Sequence, residues 1–198
     1  MLTLCRKYGF GSFRSKNYHL INKREMNFFV MSRPFIPKKN TPDKDLVMTP
    51  NETAQDIIQH FSPKGIVLDP CRGEGAFYNN YPTNCDKDYC ELSEGIDFFD
   101  YNKKVDWIIT NPPWSKIKEF LKHSMSICDD IVFLTSINHY STKARLRIIY
   151  EENNYGIKEM YCVKTPPNPW PQMGFQIAAV HISKGYNGNI ALSGNIGH

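Results

Sequence analysis

The sequence predicts an α/β fold in which helices cover both faces of a mostly parallel sheet. Two observations support this prediction. Apolar runs of strand length alternate along the chain with segments of helical periodicity, as in proteins built from β–α–β units. A composition of 41% hydrophobic and 22% charged residues is ordinary for a globular protein and excludes wholesale disorder. The 198 residues leave room for one domain and a modest appendage.

The first predicted helix begins at Thr49-Pro50, where a cap-type residue is followed by proline at the first helical position. Apolar side chains spaced i, i+3, i+4 and i+7 give this helix one buried face. They are Ala54, Ile57, Ile58 and Phe61. A buried strand at 66–68 follows and ends at Asp69. A glycine-containing turn is expected at 70–75, and a short strand near 88–91.

The second half of the sheet is predicted from longer apolar runs. The expected elements are a strand at 105–110, a helix at 116–127, a strand at 131–135, a helix at 142–152, and strands at 157–163 and 175–182. A proline-rich loop at 165–174 separates the last two strands. The tail at 185–198 is rich in glycine and asparagine, and we expect it to be flexible.

Charge is distributed unevenly along the chain. Residues 1–50 contain ten Lys or Arg against three Asp or Glu, whereas the rest of the chain contains fourteen against seventeen. Residues 1–30 are predicted to be a basic leader outside the fold, either an over-extended start (with Met26 or Met31 as initiator) or an organelle transit peptide. Residues 31–46 are predicted to be an extended polar segment. A basic arm can hold a polyanion, although solvated terminal charge is the commoner meaning.

Several classes of protein are excluded by simple counts. The six cysteines form no C-x-x-C pair and the six histidines lie singly, so no metal site is expected. Cysteines scattered in this way, without a secretory signal, are typical of a cytoplasmic protein with reduced thiols. Organelle targeting by the leader is the alternative. No run approaches the roughly 18 apolar residues of a membrane span, so no membrane association is predicted.

The first candidate for chemistry is the turn D-P-C-R-G-E-G-A-F at 69–77, directly after a predicted strand. Gly73 and Gly75 permit a tight backbone and the close approach of a ligand. The turn lacks the third glycine of the dinucleotide fingerprint and the Lys-Ser/Thr of a P-loop. A ligand with an uncharged or cationic centre therefore suits it better than a phosphate. A simple turn with no ligand is the alternative.

Two acidic positions follow this turn. Glu91 lies 22 residues after Asp69, close to the spacing at which an acidic residue meets ribose hydroxyls in nucleotide-binding units. Asp97, in the sequence Asp97-Phe98-Phe99, could accept a hydrogen bond from an exocyclic amine, with an aromatic wall beside it. The structural alternatives are solvated carboxylates and a phenylalanine pair in the core.

The strongest signal is Asn111-Pro112-Pro113-Trp114, directly after the predicted strand at 105–110. Two consecutive prolines cannot continue a central strand, because neither has an amide donor. They make the backbone rigid, so that the Asn side chain and the neighbouring carbonyls are held in place, and an aromatic residue follows them. This arrangement suits the binding of a planar amine.

These two motifs, in this order and spacing, resemble those of the class I S-adenosylmethionine-dependent methyltransferases. More narrowly, they are similar to the branch that methylates the N6 amine of adenine in nucleic acids. The resemblance covers about 47–183, and it assigns 47–184 to a catalytic domain. It implies a Rossmann-like sheet of seven strands whose last strand, here 175–182, is antiparallel.

The resemblance also implies roles for individual residues. Asp69, Gly73 and Gly75 would approach the methionine part of S-adenosylmethionine, and Thr49 and Pro50 would flank it. Glu91 would bind the ribose hydroxyls, Asp97 would accept from the adenine amine, and Phe98 would lie beside the ring. Asn111 and the Pro112 carbonyl, held by Pro112 and Pro113, would accept hydrogen bonds from the substrate amine. Trp114 would stack on the substrate base.

The substrate implied is adenine in DNA, methylated at N6. RNA adenine and a protein glutamine amide are alternatives, and so is a catalytically idle module that binds nucleic acid or cofactor. No segment is long enough for a large recognition region, which leaves a role for a separate specificity partner. Candidate substrate contacts are the arm at 30–45, the basic residues Lys143, Arg145 and Arg147 (alternatively a solvated helix face), and Trp170, which is either a wedge or a loop anchor.

Overall fold

The computed structural model describes residues 47–168, 170, 172 and 174–194. The predictions for the basic leader at 1–30 and the extended segment at 31–46 lie outside the described residues, as does the end of the predicted tail. The described residues form a seven-stranded sheet with helices on both faces, which confirms the predicted α/β architecture.

Seven strands make up the sheet: β1 (Ile66–Asp69), β2 (Asp86–Tyr89), β3 (Val105–Thr110), β4 (Cys128–Ser136), β5 (Tyr155–Cys162), β6 (Ile177–Lys184) and β7 (Ala191–Gly194). Their order across the sheet is β2-β1-β3-β4-β6-β5-β7. Six strands run in one direction, and β6 runs against both of its neighbours, β4 and β5. The carboxyl ends of β1, β2, β3 and β4 therefore meet at one edge of the sheet.

The α-helices of the described chain are α1 (Asn51–Phe61), α2 (Ala76–Asn80), α3 (Ile117–Ile127) and α4 (Lys143–Leu146). The chain continues from α4 into a π-helical segment, and short 3-10 turns connect other elements. The π-helical segment is Arg147–Glu152, and the turns are Leu92–Glu94, Phe98–Asp100, Trp114–Lys116 and Ile137–Tyr140. Within the described ranges, no helix has the length and apolarity that crossing a bilayer requires.

Residue alternation along β4 explains why helices cover both faces. Ile131 and Phe133 pack in the cluster that includes α3, whereas Val132 and Leu134 pack in the cluster that includes α1 and α2. All four side chains are buried, and each contributes about 1.5–3 kcal/mol relative to exposure to water. A strand buried on both faces is a continuous apolar run, which is the pattern from which β4 was predicted.

The structure corrects two details at helix starts. α1 begins at Asn51 rather than at Thr49-Pro50, and the helix carries no side-chain cap. Pro50 is the residue before the first turn, and its carbonyl accepts from the Ala54 amide at 3.1 Å. The short helix α2 was not predicted. It follows Gly75, whose φ of 87° lets the chain turn sharply from the loop into the helix.

The end of the sheet differs from the prediction of an antiparallel last strand and a flexible tail at 185–198. The antiparallel strand is the sixth, and β7 follows it, paired in parallel with the outer edge of β5. That edge would otherwise present unpaired amides and carbonyls, which a further strand satisfies. The intervening glycines and asparagines form the connection, in which the Gly185 amide donates to the Asn154 carbonyl at 2.7 Å.

The turn between β6 and β7 packs closely against β5 at Gly156. A Cβ atom at this position would lie 2.0 Å from the Tyr186 carbonyl oxygen, which belongs to the backbone. We therefore expect Gly156→Ala to lower the free energy of unfolding by about 1–3 kcal/mol, the usual cost of overpacking. Urea titration would measure it. Gly174→Ala is the control, because an added Cβ there meets nothing within 4 Å. Equal stability of the two variants would contradict this packing.

Candidate active site

Polar residues after β1, β2 and β3 surround a cavity of about 340 Å³ at the carboxyl edge of the sheet. Half of the twelve predicted site residues line it: Gly73, Glu91, Asp97, Phe98, Asn111 and Pro113. Asp69 and Pro112 are buried beside it. The position agrees with the general rule that ligands of parallel sheets bind beyond the carboxyl ends of the strands.

Asp69, the last residue of β1, joins β1 to β3. Its carboxylate oxygen Oδ1 accepts from the Thr110 hydroxyl at 2.7 Å and from the Cys71 amide at 3.4 Å. The other oxygen, Oδ2, is buried without a hydrogen-bond partner among the described residues. Burial disfavours the charged form, and although the Thr110 hydrogen bond opposes this, the pKa of Asp69 rises to about 6.

Glu91 fixes the glycine turn rather than pointing freely into the cavity. Its Oε2 accepts from the Gly73 amide at 2.8 Å, and its Oε1 accepts from the amide and hydroxyl of Ser93 at 3.1 and 2.6 Å. Burial raises the pKa of Glu91, but the hydrogen bonds from Ser93 and Gly73 outweigh it and the pKa is lowered overall. A carboxylate accepts at about four positions, so capacity for a ligand hydroxyl remains.

Asp97 and the two phenylalanines after it form one wall of the cavity. Asp97 Oδ1 accepts from the Phe99 amide at 2.9 Å, which shapes the turn at Phe98–Asp100. Phe98 is buried and stacks on Phe120, with ring centroids 5.0 Å apart. Phe98 therefore belongs to the core as well as to the cavity wall, and the half-exposed Phe99 is the more accessible ring of the predicted pair.

The side-chain amide of Asn111, in the Asn111-Pro112-Pro113-Trp114 loop, is hydrogen-bonded at both its nitrogen and its oxygen. Asn111 Nδ2 donates to the Val47 carbonyl at 3.1 Å, and Asn111 Oδ1 accepts from Trp114 Nε1 at 3.3 Å. A carbonyl cannot donate, so the contact with Val47 determines which end of the amide is the nitrogen. The oxygen is left with a second lone pair.

Trp114 differs from the exposed platform that the sequence suggested. Its ring is half-buried and packs edge-to-face against His139 and Trp170, at 5.7 and 6.2 Å between centroids. Its Nε1 also donates to the Leu134 carbonyl at 3.3 Å. In this arrangement Trp114 orients Asn111 instead of offering a free face.

The segment 47–49, which we call the strap, crosses the site ahead of α1. Met48 accepts through its carbonyl from Trp170 Nε1 at 2.7 Å, and Trp170 is only 2% exposed. Trp170 is therefore a loop anchor, and the interpretation as a wedge is wrong for this conformation. Thr49 and Pro50 line a second cavity, of about 360 Å³, and not the first.

Gly75 is not among the residues that line the first cavity, and a Cβ there would meet the Asn79 side chain at 2.9 Å. Gly73 is the glycine that faces the ligand space. Cys71, Met48 and Lys116 also line the cavity and were not predicted as site residues. Cys71 lies inside the first motif, in which the glycines give the stronger signal, whereas Met48 reaches the site only through the path of the strap.

The basic residues proposed as a substrate surface do not form one exposed face. Arg145 is half-buried and donates through Nε to the His139 carbonyl at 3.3 Å. Burial lowers the pKa of Arg145 below its ordinary value. Arg147 pairs with Glu152 at 3.1 Å, and Lys143 is exposed. Arg145 thus supports the turn that carries His139 against Trp114.

Comparisons with known proteins bear on the fold. No protein-family model and no curated protein matches the sequence. A protein assigned as an RNA methyltransferase from Pyrococcus horikoshii superposes with a TM-score of 0.55 at 16% identity, over 76% of this chain and 91% of its own. A protein assigned as a class I S-adenosylmethionine-dependent methyltransferase from Listeria monocytogenes gives 0.56 at 12% identity, over 79% and 68%. The 23S rRNA methyltransferase ErmE gives 0.55 at 12% identity, over 71% and 72%.

These likenesses show that the chain has the class I methyltransferase fold, as the sequence motifs predicted. The charges of the cavity agree with a cationic ligand, since Glu91 and Asp97 line it, Asp69 lies behind it, and Lys116 is the basic residue among the lining side chains. Among the residues that the structure describes, no group of three or more His, Cys, Asp or Glu side chains is placed to hold a metal ion.

The raised pKa of Asp69 should make the free energy of unfolding depend on pH. Because the folded-state pKa, about 6, exceeds the ordinary value of 3.8, the folded protein keeps a proton that the unfolded chain releases. The contribution of Asp69 to stability is therefore greatest below about pH 4 and is lost as pH rises through about 6. Asp69→Asn keeps an acceptor for Thr110 and removes the charge, so it should gain stability relative to the wild type, by up to about 3 kcal/mol, between pH 4 and pH 7.5.

Denaturant unfolding at both pH values would measure this difference. Asp100→Asn, at an exposed carboxylate, is the control and should show no such pH-dependent gain. A constant difference between Asp69→Asn and the wild type across the pH range would show that Asp69 does not titrate in this window.

Proposed function

We propose that this protein is an S-adenosylmethionine-dependent methyltransferase that methylates the N6 amine of adenine in nucleic acid, with DNA as the first candidate. One observation carries the proposal. A single cavity is bordered on one side by Gly73, Glu91 and Asp97 and on the other by the rigid Asn111 loop. A cofactor site and an amine site would thus share one boundary, as a direct transfer of a methyl group requires.

The residues fit S-adenosylmethionine in size and charge. A cavity of about 340 Å³ is within the usual range for small-molecule sites, roughly 300–1,000 Å³. Glu91 has acceptor capacity for ribose hydroxyls, and the free oxygen of Asp97 could accept from an adenine amine beside Phe99. The carboxylates favour a ligand that carries a positive sulfonium. When bound, the cofactor supplies an electrophilic methyl group.

The Asn111 loop supplies what a weakly nucleophilic amine needs. An amine on an aromatic ring has a delocalised lone pair, and two acceptors that draw its protons favour a tetrahedral nitrogen. Asn111 Oδ1 has a free lone pair, and the Pro112 carbonyl is the second acceptor in the proposal. Because Val47 and Trp114 already hold the amide, little reorganisation would accompany the reaction.

The base itself needs an aromatic face, and Trp114 is occupied by packing. Phe175 is 54% exposed and lies just ahead of β6. The next residue, Gln176, accepts through its carbonyl from the amide of Ile137, which directly follows the end of β4. Phe175 therefore stands at the same edge of the sheet as Asn111. Base–aromatic stacking contributes about 1–3 kcal/mol, which would offset part of the cost of flipping a base.

RNA adenine is the second candidate substrate, favoured by the names of two of the structural neighbours, and a protein glutamine amide is the third. Transfer of labelled methyl groups from S-adenosylmethionine to DNA, RNA and protein pools, followed by nucleoside analysis, distinguishes them. N6-methyladenine in DNA is the expected product. The same product in RNA alone would move the assignment to RNA, and methyl groups on carbon would overturn the amine site.

Gly73 provides a test of the cofactor position. A Cβ at Gly73 would project into the cavity beside the Met48 sulfur, 3.1 Å away. We expect Gly73→Ala to weaken S-adenosylhomocysteine binding at least tenfold, or about 1.4 kcal/mol, in calorimetric titration. Gly95→Ala is the matched control, because Gly95 shares the positive φ but has open space around it. Equal affinity of the two variants would contradict the placement of the cofactor.

Asn111 provides a test of the amine site. Asn111→Ala should lower kcat by about 10²–10³, because the lost hydrogen bond strengthens in the transition state, and it should leave cofactor affinity within tenfold. Asn111→Asp should retain more activity than Asn111→Ala, since a carboxylate accepts at the same place. Steady-state kinetics would measure both. The exposed Asn102→Ala is the control, and a kcat for Asn111→Ala equal to that control would remove Asn111 from the mechanism.

A further inference from the structure

We propose that Cys71 is a positioning residue for the methyl transfer, and that its thiol ties the glycine turn to the backbone of Asn111. This inference rests on the proposed function and adds a residue to it. Cys71 lies in the turn after β1, lines the cavity and is half-buried.

The geometry places the Cys71 sulfur between two oxygens. Sγ lies 3.2 Å from the Thr110 hydroxyl and 3.4 Å from the Asn111 carbonyl oxygen. Thr110 has one hydroxyl proton, which it donates to Asp69 at 2.7 Å. The thiol is therefore the available donor in both contacts: its one proton is directed to the Asn111 carbonyl oxygen and can be shared with the Thr110 oxygen.

Donation requires that the thiol keep its proton, and the surroundings ensure this. Burial, followed by the negative charge of Asp69, raises the pKa of Cys71 well above its ordinary value. Cys71 is thus a hydrogen-bond donor at neutral pH and a poor nucleophile, since nucleophilic attack needs the thiolate. Its proximity to Asn111 does not indicate a covalent cysteine mechanism.

The acceptor is the Asn111 carbonyl, at the first bend of the Asn111 loop. Asn111 follows the last residue of β3, where ladder pairing with β4 stops at Thr110, and the next residue is a proline without an amide proton. A donor from the neighbouring turn fixes the direction of this peptide and, with it, the direction of the Asn111 side chain.

The same turn also holds the cofactor side of the cavity. Two residues after Cys71, the Gly73 amide donates to Glu91, and between them the Arg72 amide donates to the Cys90 carbonyl at 3.0 Å. A ligand that contacts Gly73 and Glu91 therefore contacts the same turn that holds the Asn111 backbone through the Cys71 thiol. Cys71 couples cofactor placement to the orientation of the amine acceptor.

Replacement of the thiol separates positioning from packing. Cys71→Ala removes the donor, and Cys71→Ser restores one of similar size. We expect Cys71→Ala to lower kcat about tenfold, the equivalent of one hydrogen bond, with KM for the nucleic acid and S-adenosylhomocysteine affinity within about threefold of the wild type. Cys71→Ser should recover most of kcat. Thermal unfolding would verify that both variants are folded.

Cys162 is the matched control, because it is buried in β5, away from the glycine turn, and its thiol makes no hydrogen bond among the described residues. Cys162→Ala should leave kcat within about threefold, and Cys162→Ser should give no recovery relative to it. Equal kcat for wild type, Cys71→Ala and Cys71→Ser would overturn the positioning role while the methyltransferase assignment stands. A folded wild type that methylates none of the three pools would overturn both. An equal loss in Cys71→Ala and Cys71→Ser would show that only packing matters.

Discussion

The hydrogen bond between Thr110 and the buried carboxylate of Asp69 holds the site together. It joins the ends of the neighbouring strands β1 and β3. The first motif begins with Asp69, the last residue of β1, and the second begins directly after β3. Burial of a carboxylate without a hydrogen bond costs free energy, so the folded protein needs a donor such as the Thr110 hydroxyl beside Asp69. The glycine turn and the Asn111 loop are consequently held at a defined distance from each other before any ligand binds.

Further hydrogen bonds, made by Glu91 and Asn111, fix the walls of the cavity between the two motifs. Glu91 closes the glycine turn through Gly73, and Asn111 is held by a carbonyl on one side and an indole on the other. None of these interactions depends on a surface charge pair that salt would screen. The acceptors that the chemistry requires are therefore oriented by the folded chain, which is the condition under which polar groups stabilise a transition state most effectively.

Much of the architecture could be predicted because β1, β3 and β4 are buried on both faces and therefore appear as apolar runs. Asp69 and Asn111, the polar residues at the ends of the runs in β1 and β3, then locate the edge of the sheet. Glu91 was predicted instead from its position 22 residues after Asp69. The half-burial of Trp114 and the path of the strap could not be predicted. They depend on the bonds Asn111–Val47 and Trp170–Met48, which connect residues 64 and 122 positions apart and leave no local pattern. The strand β7 was missed because glycine and asparagine suggest a loop and hide a short edge strand.

The course of the strap has a consequence for the side chains that it presents to the cavity. Val47 and Met48 accept from Asn111 and Trp170 through main-chain carbonyls, so these two bonds do not depend on the side chains at positions 47 and 48. Both side chains line the cavity. Substitutions at these two positions would therefore change the shape of the ligand space while the orientation of the Asn111 amide is kept.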